Sequence, residues 1–206
     1  MTALKKGFTL IELLIVIAIL GVLAVVILVA INPLEQLART RDAGRISSTT
    51  QIGHALQAFA TANAGEYVDV TLTDNCSASG SWLDCLVDAG EIGSAPTELN
   101  YAITGVLACA VNVVAGESSP TSPSGVDSDG DGNYEGYCMI NDTSGNYAGG
   151  LVYARLESGS NNSKCAPGED AFFVFDSCSA RGGLVCVADG TEPAWAGAPA
   201  CQTFVD

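Results

Sequence analysis

Residues 5–31 read KKGFTLIELLIVIAILGVLAVVILVAI: two lysines and a glycine, then 24 residues from Phe8 to Ile31 carrying a single charge, Glu12. As a helix this run extends about 36 Å, enough to cross a bilayer with some tilt. Lys5 and Lys6 predict that the short N-terminal end stays on the cytoplasmic side while the rest is exported. A secretory signal peptide has an apolar core of about 7–15 residues and a small-residue cleavage site, and this run is too long for that. A plain membrane anchor accounts for length and lysines but leaves Glu12 without a role. A carboxylate inside an apolar span costs about 2.5–3.5 kcal/mol near the centre and less toward the edge. Such a group is either functional and partnered, or close enough to the interface to stay hydrated.

The remainder of the chain has a different texture. The 206 residues suit one modest domain with an appendage, and the net charge is −15. From Asn63 onward twenty Asp and Glu face only Arg155, Lys164 and Arg181, a balance that disfavours binding of a phosphate backbone. All eight cysteines (Cys76, Cys85, Cys109, Cys138, Cys165, Cys178, Cys186 and Cys201) fall in this acidic part. An even count without any C-x-x-C pair, and with His54 as the lone histidine far upstream, points to disulfides rather than zinc, and hence to an oxidising compartment. Loop length alone favours pairing in sequence order: 76–85, 109–138, 165–178 and 186–201.

Between the two parts, Asn32–Pro33 marks a break, since proline removes a backbone donor and disfavours helix before it. Apolar residues then recur with helical spacing at Leu34, Leu37, Ala38, Ile46, Ile52, Ala55, Leu56 and Phe59. They predict an amphipathic helix packing one face on the head, with Arg39, Arg41 and Arg45 outward. Gly44 and Gly53 weaken this helix, and Asn63 with Gly65 end it. His54 reads as a surface or half-buried helix residue. Strands are expected at Tyr67–Leu72, Tyr101–Val114, Tyr137–Ile140, Tyr147–Leu156, Ala171–Phe175 and Leu184–Val187, with a short helix or turn over Trp82–Val87. The expected class is α+β, a long helix packed on an antiparallel sheet whose loops are tied by disulfides.

One cluster in the head suggests metal chemistry: Asp127-Ser-Asp129-Gly-Asp131-Gly-Asn133-Tyr-Glu135. Carboxylates on alternate residues of a glycine-containing loop converge on a hard cation, so calcium is expected here, with Asp127, Asp129, Asp131, Asn133 and Glu135 as candidate ligands. The start matches an EF-hand-type loop, but its twelfth position is Cys138, not Glu, so another group must complete the shell. The competing reading is a solvated acidic turn. No nucleophile–base motif or glycine-rich phosphate loop occurs, and an enzyme is not expected.

The segment K-K-G-F-T-L-I-E-L-L resembles the processing site of type IV pilins and pseudopilins: a short basic leader, a glycine, then Phe and a Glu four residues on, here Lys5–Lys6, Gly7, Phe8 and Glu12. The likeness is close over about the first 35 residues. It implies a leader at 1–7, cleavage by a prepilin peptidase between Gly7 and Phe8, and methylation of the new Phe8 amine. It also implies an N-terminal helix over 8–62 (8–31 in membrane or filament core, 32–62 amphipathic) and an extracellular head over 63–206. The chain would sit in the cytoplasmic membrane and then move into a homo-oligomeric helical filament through the pilus assembly machinery. Glu12 would meet the Phe8 amine of a neighbouring copy, an ion pair better suited to setting register than to adding stability. The filament's task (adhesion, motility, DNA uptake or secretion) stays open. So do the alternatives, a minor pilin or pseudopilin of a secretion system, and a calcium-dependent adhesin or lectin-like protein that is anchored and never polymerises.

Overall fold

The structure is a computed structural model that describes residues 7–68, 82–94, 96, 137–141, 149–191, 193–194 and 201–205. The chain divides into two compact units, one ending at Leu37 and one beginning at Ala38.

The first unit is built on α1 (Leu10–Ile31), capped by Thr9 at one end and by Asn32 at the other. Asn32 adopts φ 44° and ψ 77°, a left-handed conformation that asparagine tolerates better than most residues. Pro33, with no N–H to donate, then opens α2 (Pro33–Ala62), the first-turn position proline favours.

Within the second unit, α2 buries a stripe that advances in steps of three and four: Ala38, Asp42, Arg45, Thr49, Ile52, Leu56, Phe59. The expected apolar face is correct from Ala38 onward. Leu34 and Leu37 depart from it; they are 74% and 56% exposed because burial begins only where the second unit begins. The helix ends as its sequence predicts: Ala64 and Gly65 turn left-handed, and the Gly65 N–H reaches back to the Ala60 carbonyl at 2.7 Å.

The sheet is antiparallel, with β1 (Cys138–Asn141), β2 (Gly150–Arg155), β3 (Glu169–Asp176) and β4 (Arg181–Ala188) side by side in chain order. Short α3 (Trp82–Asp88) and α4 (Gly159–Asn162) complete the described elements. This is the expected α+β arrangement. Tyr67 and Val68, expected to start a strand, are irregular, and Tyr101–Val114 lies outside the described residues. One sheet face gives Met139, Val152 and Ala154 to a core with Ile52, Leu56 and Phe59 of α2 and Trp82, Leu83 and Leu86 of α3. The other face buries Ile140, Leu151, Tyr153, Phe172 and Val174. With both faces covered, β2 loses the polar alternation of a solvent-facing strand. Each large apolar side chain so buried contributes about 1.5–3 kcal/mol.

Two disulfides correct the pairing expected from loop length: the bonds are Cys165–Cys186 and Cys178–Cys201. Cys165 and Cys178 flank β3 at opposite ends, and eight extended residues span about 26 Å. A disulfide needs Cα atoms within about 7 Å, so these sequence neighbours cannot pair. Cys85 and Cys138 are also disulfide-bonded. Cys76 and Cys109 lie outside the described residues, as does the candidate calcium loop Asp127–Glu135.

Candidate functional site

The first unit carries the features singled out by the N-terminal sequence. None of the described α1 side chains is buried, and the helix is apolar around its circumference. Leu10–Ala30 is long and apolar enough to cross a membrane. A helix that is hydrophobic on every side calls for lipid or for other helices around it. Phe8 precedes it, 82% exposed.

Glu12 has a partner within its own chain. Its Oε2 accepts the Thr9 N–H at 2.9 Å and the Thr9 hydroxyl at 2.6 Å. The Glu12 N–H donates in return to Thr9 Oγ1 at 3.3 Å, completing a reciprocal capping box. Thr9 is not among the residues expected at the site, although T-x-x-E directly before an apolar run is the signal for this cap. The carboxylate is thus held at the helix start, one turn beyond Phe8, where it also complements the helix dipole.

The second unit holds an ion cluster that the sequence did not foreshadow. Asp42 Oδ1 accepts Arg45 Nη1 at 3.0 Å and the Glu157 N–H at 2.9 Å. Asp42 Oδ2 accepts the Ser158 N–H at 2.9 Å and Asn161 Nδ2 at 2.8 Å. The Glu157 carboxylate takes Arg41 Nη2 at 2.7 Å through one oxygen and pairs with Arg45 through the other. Burial alone would raise the Asp42 pKa, but the donors from Glu157, Ser158 and Asn161 outweigh it and hold the group below the ordinary aspartate value. Arg45, expected to face outward, is 2% exposed because its charge is matched from two sides. Arg39 is exposed as expected, and Arg41 lies between the two. The cluster fastens the middle of α2 to the chain between β2 and α4.

His54 is exposed, with its ring edge-on to Phe175 at 5.2 Å. Among the described residues, the two groupings with metal-ligand potential are Cys165–Glu169–Cys186 and Asp176–Cys178–Cys201. Each contains the two sulfurs of a disulfide, which are not available to a metal.

Comparison with known proteins agrees with the N-terminal geometry. The family model described as the prokaryotic N-terminal methylation motif matches residues 3–28. The chain therefore carries the signature of type IV prepilins and pseudopilins. No curated protein and no solved structure matches it.

Proposed function

We propose that this chain is the precursor of a structural subunit of a type IV pilus or a related pseudopilus. A prepilin peptidase cuts it after Gly7, the Phe8 amine is methylated, and α1 leaves the membrane to pack against α1 of other copies. The observation that carries this reading is the methylation motif over residues 3–28, coinciding with a helix whose described side chains are all unburied. Cleavage at this point removes Lys5 and Lys6 and leaves a cationic amine at the start of an apolar helix, with Glu12 four residues away as the available acid.

A second reading rests on the Thr9–Glu12 capping box. Because Glu12 is satisfied within its own chain, an anchored protein that never polymerises also accounts for the carboxylate. Paired substitutions distinguish the two. Under the filament reading, Glu12→Ala abolishes most fibre yield while Thr9→Ala, which leaves the acid in place, retains it. Equal behaviour of the two variants would assign Glu12 to capping alone.

A further inference from the structure

Residues Cys201–Val205 run as a strap over the β3–β4 hairpin. The Gln202 N–H donates to Asp176 Oδ2 at 3.0 Å, and the same carboxylate accepts the Cys178 N–H at 3.0 Å. The Phe204 ring fills space over Gly183, where a Cβ would come within 2.4 Å of it. The Arg181 guanidinium lies 4.9 Å from the centre of that ring. The Val205 N–H then donates to the Leu184 carbonyl at 2.8 Å, the only pairing on the outer edge of β4 among the described residues. Covalently, the strap is held by Cys178–Cys201.

The cysteines differ sharply in access. Cys178 and Cys201 are both exposed, Cys165 and Cys186 are partly covered, and Cys85 and Cys138 are only 4% and 6% exposed. Thiol–disulfide exchange requires a thiolate to reach a sulfur of the bond, so access decides which bridge reacts first.

We propose that Cys178–Cys201 is a thiol-exchange site that locks the strap on the edge of β4, and that its chemical partner is a dithiol reductant or oxidoreductase. One thiolate of the dithiol attacks either sulfur, the S–S bond breaks, and a mixed disulfide forms. The second thiol of the reductant resolves it. Two electrons pass to the protein, both cysteines end as thiols carrying the two protons that the dithiol gave up, and the reductant ends as a disulfide. Among the described residues, what remains on the strap is the Gln202 N–H on the Asp176 carboxylate, the Gln202 side-chain amide on the Ala194 carbonyl, the Val205 N–H on the Leu184 carbonyl, and a partly buried Phe204 beneath Arg181. Such short, shallow contacts belong to the low-stability end of a structure. Release uncovers the Leu184 carbonyl and the slot over Gly183, and leaves β3 and β4 paired.

The test uses the full chain in detergent micelles, treated with dithiothreitol and quenched at intervals with N-ethylmaleimide for peptide mass mapping. Amide exchange is followed in parallel. Cys178 and Cys201 should be labelled together, about tenfold or more sooner than Cys165 and Cys186. The Val205 amide should lose protection on the same timescale while the Phe173 amide keeps it. Simultaneous or reversed labelling would overturn the proposal. So would unchanged Val205 protection once Cys178 and Cys201 are labelled. The double variant Cys178→Ser/Cys201→Ser should show fast Val205 exchange without reductant, and continued protection there would count equally against the lock.

Discussion

Gly53 and Phe175 approach so closely that a Cβ on Gly53 would come within 2.2 Å of the ring carbons. This contact presses the middle of α2 onto β3. Alanine at position 53 gains about 1 kcal/mol of helix propensity, but overpacking of this kind costs about 1–3 kcal/mol. The clash is with a whole ring, so we expect Gly53→Ala to lower the melting temperature, by about 2–4 °C for each kcal/mol lost. Gly44, on the same helix, has nothing within 4 Å of a built Cβ. Gly44→Ala should therefore raise the melting temperature. Calorimetry on both variants would show opposite signs; a matching sign would mean that the Phe175 contact does not govern position 53.

Acid should weaken the head through Asp42. Its donors hold the folded-state pKa below the ordinary 3.8, so the unfolded chain takes up a proton first as pH falls. The stabilisation is complete above the unfolded value and is lost as pH drops through the folded one. Asp42→Asn removes this dependence but also breaks a buried pair, a change that costs about 3–5 kcal/mol. Melting curves from pH 7 to pH 2 should show a steeper acid limb for the wild type than for the variant. Parallel limbs would assign the acid sensitivity elsewhere.

Removing the bridge between Cys165 and Cys186 by a double alanine substitution should cost about 3 kcal/mol, since it closes a loop with a sequence separation of 21. Non-reducing peptide maps of the wild type should recover Cys165 with Cys186, and recovery of Cys165 with Cys178 would contradict the fold described for β3.

These features differ in how far the sequence could reveal them, for physical reasons. The run from Phe8 to Ile31 and the break at Asn32–Pro33 are local properties, written in composition and in the chemistry of proline. The end of α2 at Asn63–Gly65 is local as well. The Asp42–Glu157 contact joins residues 115 apart and depends on where β2 leaves the sheet, which no periodicity encodes. Arg45 looks like a solvated charge until that contact places two carboxylates around it. Loop length favours 165–178 and 186–201, yet the bonds are Cys165–Cys186 and Cys178–Cys201, because β3 separates Cys165 from Cys178 by its whole length. The Thr9 cap is local too, written as T-x-x-E directly before an apolar run, with Glu12 in an ordinary capping role.

Glu12 itself supplies a prediction separable from folding. Glu12→Ala should leave membrane insertion and processing unchanged, while fibre yield falls at least about tenfold, since an ion pair that loses one partner leaves the other charge uncompensated. Electron microscopy of sheared surface fibres, with immunoblotting of the mature subunit, measures both. Wild-type fibre yield from this variant would remove Glu12 from the assembly contact.

The most direct test of leader removal and assembly is N-terminal sequencing with intact mass of the subunit recovered from sheared surface fibres. Fibres should be built from this chain, beginning at an N-methylated Phe8 with residues 1–7 absent. A chain that retains Met1, or that is cut near Ala30 at the far end of α1, would contradict this.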